Sequence, residues 1–197
     1  MKGTRNLTLL IIGAIVLILF FWGCSGYNGL VKQDETVKNR WNRVQSDYQR
    51  RTDLIPNLVN TVKGEASFER GTLTDVINAR ASASQMKVNP EDLTPENLQK
   101  FQQAQGQLTQ ALGRFLVITE NYPNLRANDA FRGLQTQLEG TENRIKNSRN
   151  DFNDAVQTYN TKIRSFPTNV FAGVMGFKQR AGFAAEAGSE KAPEVKF

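Results

Sequence analysis

Histidine is absent from the 197 residues and cysteine occurs once. Ser-His-Asp and Cys-His nucleophile systems, imidazole metal sites and intrachain disulfides are excluded on that inventory alone. The Glu-x-x-His pairs of a di-iron helical bundle go with them. Strong basicity is lacking too: 25 Lys and Arg stand against 19 Asp and Glu, for a formal net charge of +6. No nucleic-acid-binding motif accompanies that modest charge, so no nucleic-acid partner is expected. Charge is missing altogether between Arg5 and Lys32. What remains is one domain's worth of chain, on the order of 100 to 200 residues.

The charge-free stretch contains LTLLIIGAIVLILFFWG, Leu7 to Gly23, in which Thr8 is the only clearly polar residue. A helix through it to Tyr27 rises roughly 30 Å, the thickness of a bilayer core. Trp22 and Tyr27 then fall near the far headgroups, where amphipathic aromatics prefer to sit. Residues 1–26 are therefore expected to be a transmembrane anchor, with membrane lipid contacted through residues 7–23. The alternative is a cleaved signal peptide: Lys2 and Arg5 make a basic start, and Cys24 after Gly23 resembles a lipoprotein processing site. Against it, bulky Phe21 and Trp22 stand where processing enzymes need small side chains. Bases flank the run on both sides, so their count does not fix orientation. The short basic start favours a single-pass membrane protein with its remaining domain facing outward, into the periplasm.

Beyond the anchor the pattern is helical. Leu30, Val37, Trp41, Val44 and Tyr48 repeat at sevens, fours and threes on one stripe. Ile55, Leu58, Val62, Ala66, Leu73 and Val76 or Ile77 form a second stripe out to about Ala83. Between the two, Thr52 and Asp53 are suited to cap a new helix with Pro56 in its first turn, which favours a hairpin there. A single kinked helix is the alternative, because the spacing stays in phase across Pro56. Gln85 to Thr94 is a loop, and Thr94-Pro95-Glu96 starts a third helix carrying Leu98, Phe101, Leu108, Leu112 and Phe115, with Gln105 as a polar member. The fourth helix runs from about Phe131 to Phe166, where Pro167 stops it. The expected fold is all-α: an N-terminal transmembrane helix, a long antiparallel four-helix bundle over 27–166, and an amphipathic C-terminal segment with a tail over 167–197.

Several stretches are specific enough to point to a family. They are RRTDLIPNLVNTVKG from Arg50, Tyr122-Pro123-Asn124-Leu125, TENRI from Thr141, Tyr159-Asn160 and Phe166-Pro167-Thr168-Asn169. In this order, behind an apolar N-terminus, they closely resemble the LemA family of bacterial membrane proteins, over nearly the whole chain. The resemblance implies an anchored four-helix bundle with no established enzymatic activity. One departure is Phe68 in GEASFE, where relatives often carry histidine.

The residues also have readings of their own. Arg50, Arg51 and Asp53 suit the dipoles of helix ends; the sharper reading is that the arginines meet a partner's carboxylate or a lipid phosphate. Glu142, Asn143 and Arg144 flank the stripe of the fourth helix, where such groups form interhelical hydrogen bonds that set register. After Pro167, Phe171, Phe177, Lys178, Arg180 and Phe183 have the composition of a membrane-surface or partner-docking helix. Equally, that segment folds back to cover the open end of the bundle. No nucleophile, ligand set or perturbed acid pair fills a catalytic checklist, and no catalytic residue, cofactor or metal is assigned. The expected function is a non-enzymatic scaffold that assembles with itself or docks other cell-envelope proteins. The alternatives are a ligand-sensing bundle or a hydrolase without a recognisable motif.

Overall fold

The computed structural model describes residues 2–65 and 68–184, without the side chains of 2–9, 15, 16, 18–22, 24 and 171. Among these residues all regular structure is helical: α1 (Lys2–Lys63), α2 (Arg70–Gln85), a 3-10 turn (Pro90–Asp92), α3 (Pro95–Thr119), α4 (Pro123–Ala127), α5 (Asp129–Arg164) and α6 (Thr168–Ala172). The chain divides into two compact units. One is drawn from the residues up to Asn39 together with Asp154–Arg180, the other from Arg40–Asn153 with the segment that begins at Ala181.

The second unit is a four-helix bundle, and its contacts give the direction of every helix. On α1, Trp41 meets Phe101 and Phe152, and ten residues later Arg51 meets Gln105 and Glu142. Numbers thus rise together on α1 and α3 and oppose each other on α1 and α5. The Thr52 carbonyl faces Arg80, and Gln45 reaches Val88, so α2 runs against α1. This is the up-down-up-down order that short connections produce. Its core holds Ile55, Leu58, Val62, Val76, Leu108, Phe115, Phe131 and Leu138. Phe68 is buried with them, its ring 5.6 Å from that of Phe115 and 4.9 Å from that of Tyr122. In the first unit the start of α1 and the end of α5 also run antiparallel, with Leu30, Val37, Tyr159 and Ile163 buried.

The hairpin expected at Thr52–Pro56 does not form: α1 passes through Pro56 to Lys63, and the chain reverses only afterwards. Proline has no N–H to offer the carbonyl four residues back, and it leaves that oxygen without its helical donor. Here the oxygen is that of Thr52, and Arg80 Nε of α2 donates to it at 2.9 Å. Since Ile55, Leu58, Val59 and Val62 stay in phase with Val44 and Tyr48, continuing the helix keeps every apolar residue in the core. The second helix is correspondingly shorter than expected and begins at Arg70.

Other boundaries are set by local chemistry, and the start of α3 is as read from the sequence. Thr94 Oγ1 accepts from the Asn97 N–H at the start of α3, with Pro95 in the first turn. Asn128 Oδ1 accepts from the Ala130 and Phe131 N–H groups and caps α5. Among the described residues no helix is long and apolar enough to cross a membrane. The anchor expected over residues 1–26 rests on side chains that lie mostly outside the described set.

Candidate functional site

The most concentrated polar arrangement of the second unit is centred on Arg51, whose side chain is only 1% exposed. Its Nη1 donates to Thr109 Oγ1 at 3.0 Å and to Glu142 Oε1 at 2.8 Å. Its Nη2 donates to Gln105 Oε1 at 2.6 Å and to the Gln105 carbonyl at 3.3 Å. The Tyr48 ring covers the guanidinium, with its centroid 5.0 Å from the central carbon. Gln105 Nε2 in turn donates to the Ala83 carbonyl of α2. One planar cation therefore ties α1 to α3 and α5 directly, and to α2 through a glutamine. Both terminal nitrogens find acceptors inside the bundle, while the buried Nε has none among the described residues; a cation so held fixes the register of the helices.

The other residues of these two motifs are placed differently. Arg50 and Asp53 are exposed, and Asp53 Oδ1 accepts from Gln49 Nε2 at 2.7 Å. Glu142 is 45% exposed even as it meets Arg51. Asn143 and Arg144 are exposed. Arg144 borders an open groove with Arg43, Asp47 and Asp151, where Arg40 Nη1 pairs with Asp151 Oδ2 at 3.0 Å. No group of three or more His, Cys, Asp or Glu suited to hold a metal occurs among the described residues.

The segment after Pro167 divides into residues that pack against the helices and residues that face solvent. In the first unit Arg180 directs Nε and Nη2 at Asp34 Oδ1, at 3.2 and 3.0 Å. Lys38 Nζ lies 3.1 Å from the other oxygen of Asp34. Asn160 holds the main chain of Arg180 on both sides, donating to its carbonyl at 2.8 Å and accepting from its N–H at 2.9 Å. Tyr159 is buried beside this cluster. Its hydroxyl is held above the usual 10.0, chiefly by burial and then by the Asp34 charge, with Arg180 pulling the other way. Phe177 is half-buried and its ring meets that of Tyr27 at 5.8 Å, while Lys178 is exposed.

In the second unit the same device recurs. Asn153 accepts from the Phe183 N–H at 2.8 Å and donates to its carbonyl at 3.4 Å. The Phe183 ring is buried against Trp41 and Phe152, and Arg149 stacks over it at 4.7 Å. Phe183 and Arg180 therefore close the chain onto itself. By contrast Phe166, Val170, Val174 and Met175 face solvent. The Phe171 side chain and the tail from Gly188 to Phe197 lie outside the described residues. Asn160 stands in the Tyr159-Asn160 motif noted in the sequence, whereas Asn153 was not singled out. Their signal was a polar residue directly after an aromatic stripe position, Phe152 and Tyr159, repeated at seven.

Comparison with known proteins adds a family. The model of the LemA family matches residues 40–197. Among curated proteins, magnetosome protein MamQ 2 of Paramagnetospirillum magneticum is 28% identical over 174 residues, covering 80% of this chain and 64% of its own length. MamQ of Magnetospirillum gryphiswaldense is 28% identical over 170 residues, covering 78% of this chain and 62% of its own. Protein LemA of Metamycoplasma hominis is 23% identical over 168 residues, 85% of this chain and 73% of that protein. The chain thus spans a little under two thirds of the MamQ relatives it matches.

Proposed function

The chain belongs to the LemA family, and from that premise we propose that it is a non-enzymatic, membrane-anchored helical scaffold that assembles with itself and docks other proteins of the cell envelope. The observation that carries the reading is the continuity of α1. This helix runs unbroken from Lys2 to Lys63, so the charge-free run Leu7–Gly23 and the first helix of the bundle are one element. A bilayer-length apolar run that continues into a packed bundle ties the folded part to the membrane without a linker. The polar groups of the bundle support the non-enzymatic half. Arg51, Gln105 and Asn153 hold helices and main chain in place, which is structural work. The short basic start at Lys2 and Arg5 favours a periplasmic bundle.

Confinement to a plane reduces the entropic cost of association, so weak lateral contacts suffice for self-assembly. The exposed cations Arg50 and Arg144, the exposed amide of Asn143 and the groove walled by Arg43 and Asp151 are the surfaces available for such contacts. The MamQ relatives are named as magnetosome proteins; from that name the proposal takes association with a cellular structure and nothing of its identity. Mass photometry of the full-length protein in mild detergent, with copurifying proteins identified by mass spectrometry, tests the proposal. Homomeric assemblies or a stoichiometric envelope protein are expected. A monomer without partners over a range of detergents and concentrations would defeat the scaffold reading.

A further inference from the structure

Three features meet at one end of the first unit. Residues 6–31 carry no charge, and residues 155–180 carry Lys162, Arg164, Lys178 and Arg180 without a single acid, Arg180 alone of the four being paired with Asp34 of α1. The corner that follows α5 leaves large apolar side chains in solvent, with Phe166 79% and Val174 89% exposed and Val170 and Met175 beside them in sequence. This corner is packed on α1 at the point where the apolar run Leu7–Gly23 ends. Lys162, Pro167 and Met175 share a cavity of about 150 Å³ with Gly23, Gly26 and Tyr27, and the Phe177 ring rests edge-on against Tyr27.

Exposed apolar groups of this size gathered in one segment mark a surface that something covers. The charge pattern selects the cover. Aromatic and aliphatic side chains interleaved with cations and free of acids suit the boundary between headgroups and acyl chains of an anionic bilayer. The end of the apolar run sets the depth, because Gly23 to Tyr27 is where a helix that spans the core emerges. The turn itself is fixed. The Phe177 N–H bonds the Ala172 carbonyl at 3.0 Å and the Gly176 N–H bonds that of Gly173 at 3.3 Å, around Gly176 at φ 80°. The exposed side chains are thus presented on a defined loop.

We propose that this corner is seated in the interfacial layer of the same bilayer that α1 crosses, with Phe166, Val174 and Met175 among the upper acyl chains and Lys162 and Lys178 at the lipid phosphates. The first unit is thereby held at the membrane by two contacts, the helix and the corner. The inference rests on the membrane-anchored reading of α1.

Single-cysteine versions of the full-length protein test it, made in a Cys24→Ala background and carrying an environment-sensitive fluorophore at Val174→Cys, Met175→Cys or the exposed reference Val117→Cys. Each is reconstituted into vesicles of phosphatidylcholine and phosphatidylglycerol containing lipid with a shallow nitroxide quencher. The labels at 174 and 175 are expected to emit at shorter wavelength and to be quenched several-fold more than the label at 117. In the full chain without labels, Val174→Asp with Met175→Asp should make Lys178 several-fold more reactive towards a water-soluble acylating reagent, while the protein still floats with the vesicles. Protein that floats but keeps its 174 label unquenched would overturn this inference alone. So would a label shielded from water yet untouched by the lipid quencher, which would assign the corner to a second copy. Protein that fails to float would overturn the anchor and the corner together.

Discussion

Arg51 and Glu142 face each other at 2.8 Å, but they do not carry equal weight. Arg51 is buried and serves Gln105, Thr109 and Glu142 at once, whereas Glu142 is half in water. Arg51→Lys cannot reproduce the planar fork and leaves buried acceptors without donors, so it should cost about 2 kcal/mol. Glu142→Gln removes a screened partner and should cost under ~1 kcal/mol. Urea unfolding of the two variants checks the order, and equal costs would contradict the central role of the guanidinium. The sequence marked Arg51 through its motif, but not its burial. The groups that satisfy it lie 54 to 91 residues away, and no local pattern announces them. Gln105 was visible as a polar member of an apolar stripe, and its double duty towards Arg51 and Ala83 is the reason that it sits there.

Tyr159 gives the same scale a pH dependence. Burial and Asp34 hold the hydroxyl above the 10.0 of a free tyrosine. The folded chain therefore keeps this proton at pH values where the unfolded chain has lost it. Stabilisation from Tyr159 is complete below about pH 10 and is lost as pH rises through the folded value. Tyr159→Phe should remove that contribution, so that melting temperature falls less steeply with alkalinity than in the unmodified protein. Melting curves from about pH 9 upwards check it; parallel slopes for the two proteins would contradict it.

Among the elements, α1 shows why a proline was misjudged. The stripe stays in phase across Pro56, and that much was legible. What decides between a hairpin and a continued helix is the fate of the Thr52 carbonyl, and its donor Arg80 lies 28 residues on. Arg80→Ala should cost about 1 kcal/mol or somewhat more by leaving that oxygen unsatisfied. In a Pro56→Ala background the restored N–H serves the same carbonyl, and the cost of Arg80→Ala should fall by more than half. A double-mutant cycle with no coupling would contradict the account of the continued helix. The turn that follows α6 contains a left-handed Gly176 with open space where a Cβ would stand. Gly176→Ala should therefore cost about 1 kcal/mol through backbone conformation alone, read by thermal unfolding of the full chain. The starts of α3 and α5 needed no such distant help. Thr94 and Asn128 cap from within the same few residues, and local chemistry of that kind is what a sequence displays most openly.

At the scale of the whole molecule, the four-helix order and the all-helical class were legible because short connections and three-four stripes leave few alternatives. The division of the C-terminal segment was not. Phe183 and Val174 look alike in composition, yet Asn153 clamps the main chain at Phe183 and seats its ring, while Val174 stays 89% exposed. Family membership adds the class of protein and leaves the membrane anchor as the central claim. Sodium carbonate extraction of bacterial membranes tests it most directly, comparing the full-length chain with residues 27–197 expressed alone. The full-length protein should remain in the membrane pellet at its unprocessed mass, and the shortened chain should be released. Release of the full-length protein by carbonate, or a mature mass that begins at Cys24, would contradict the anchored scaffold.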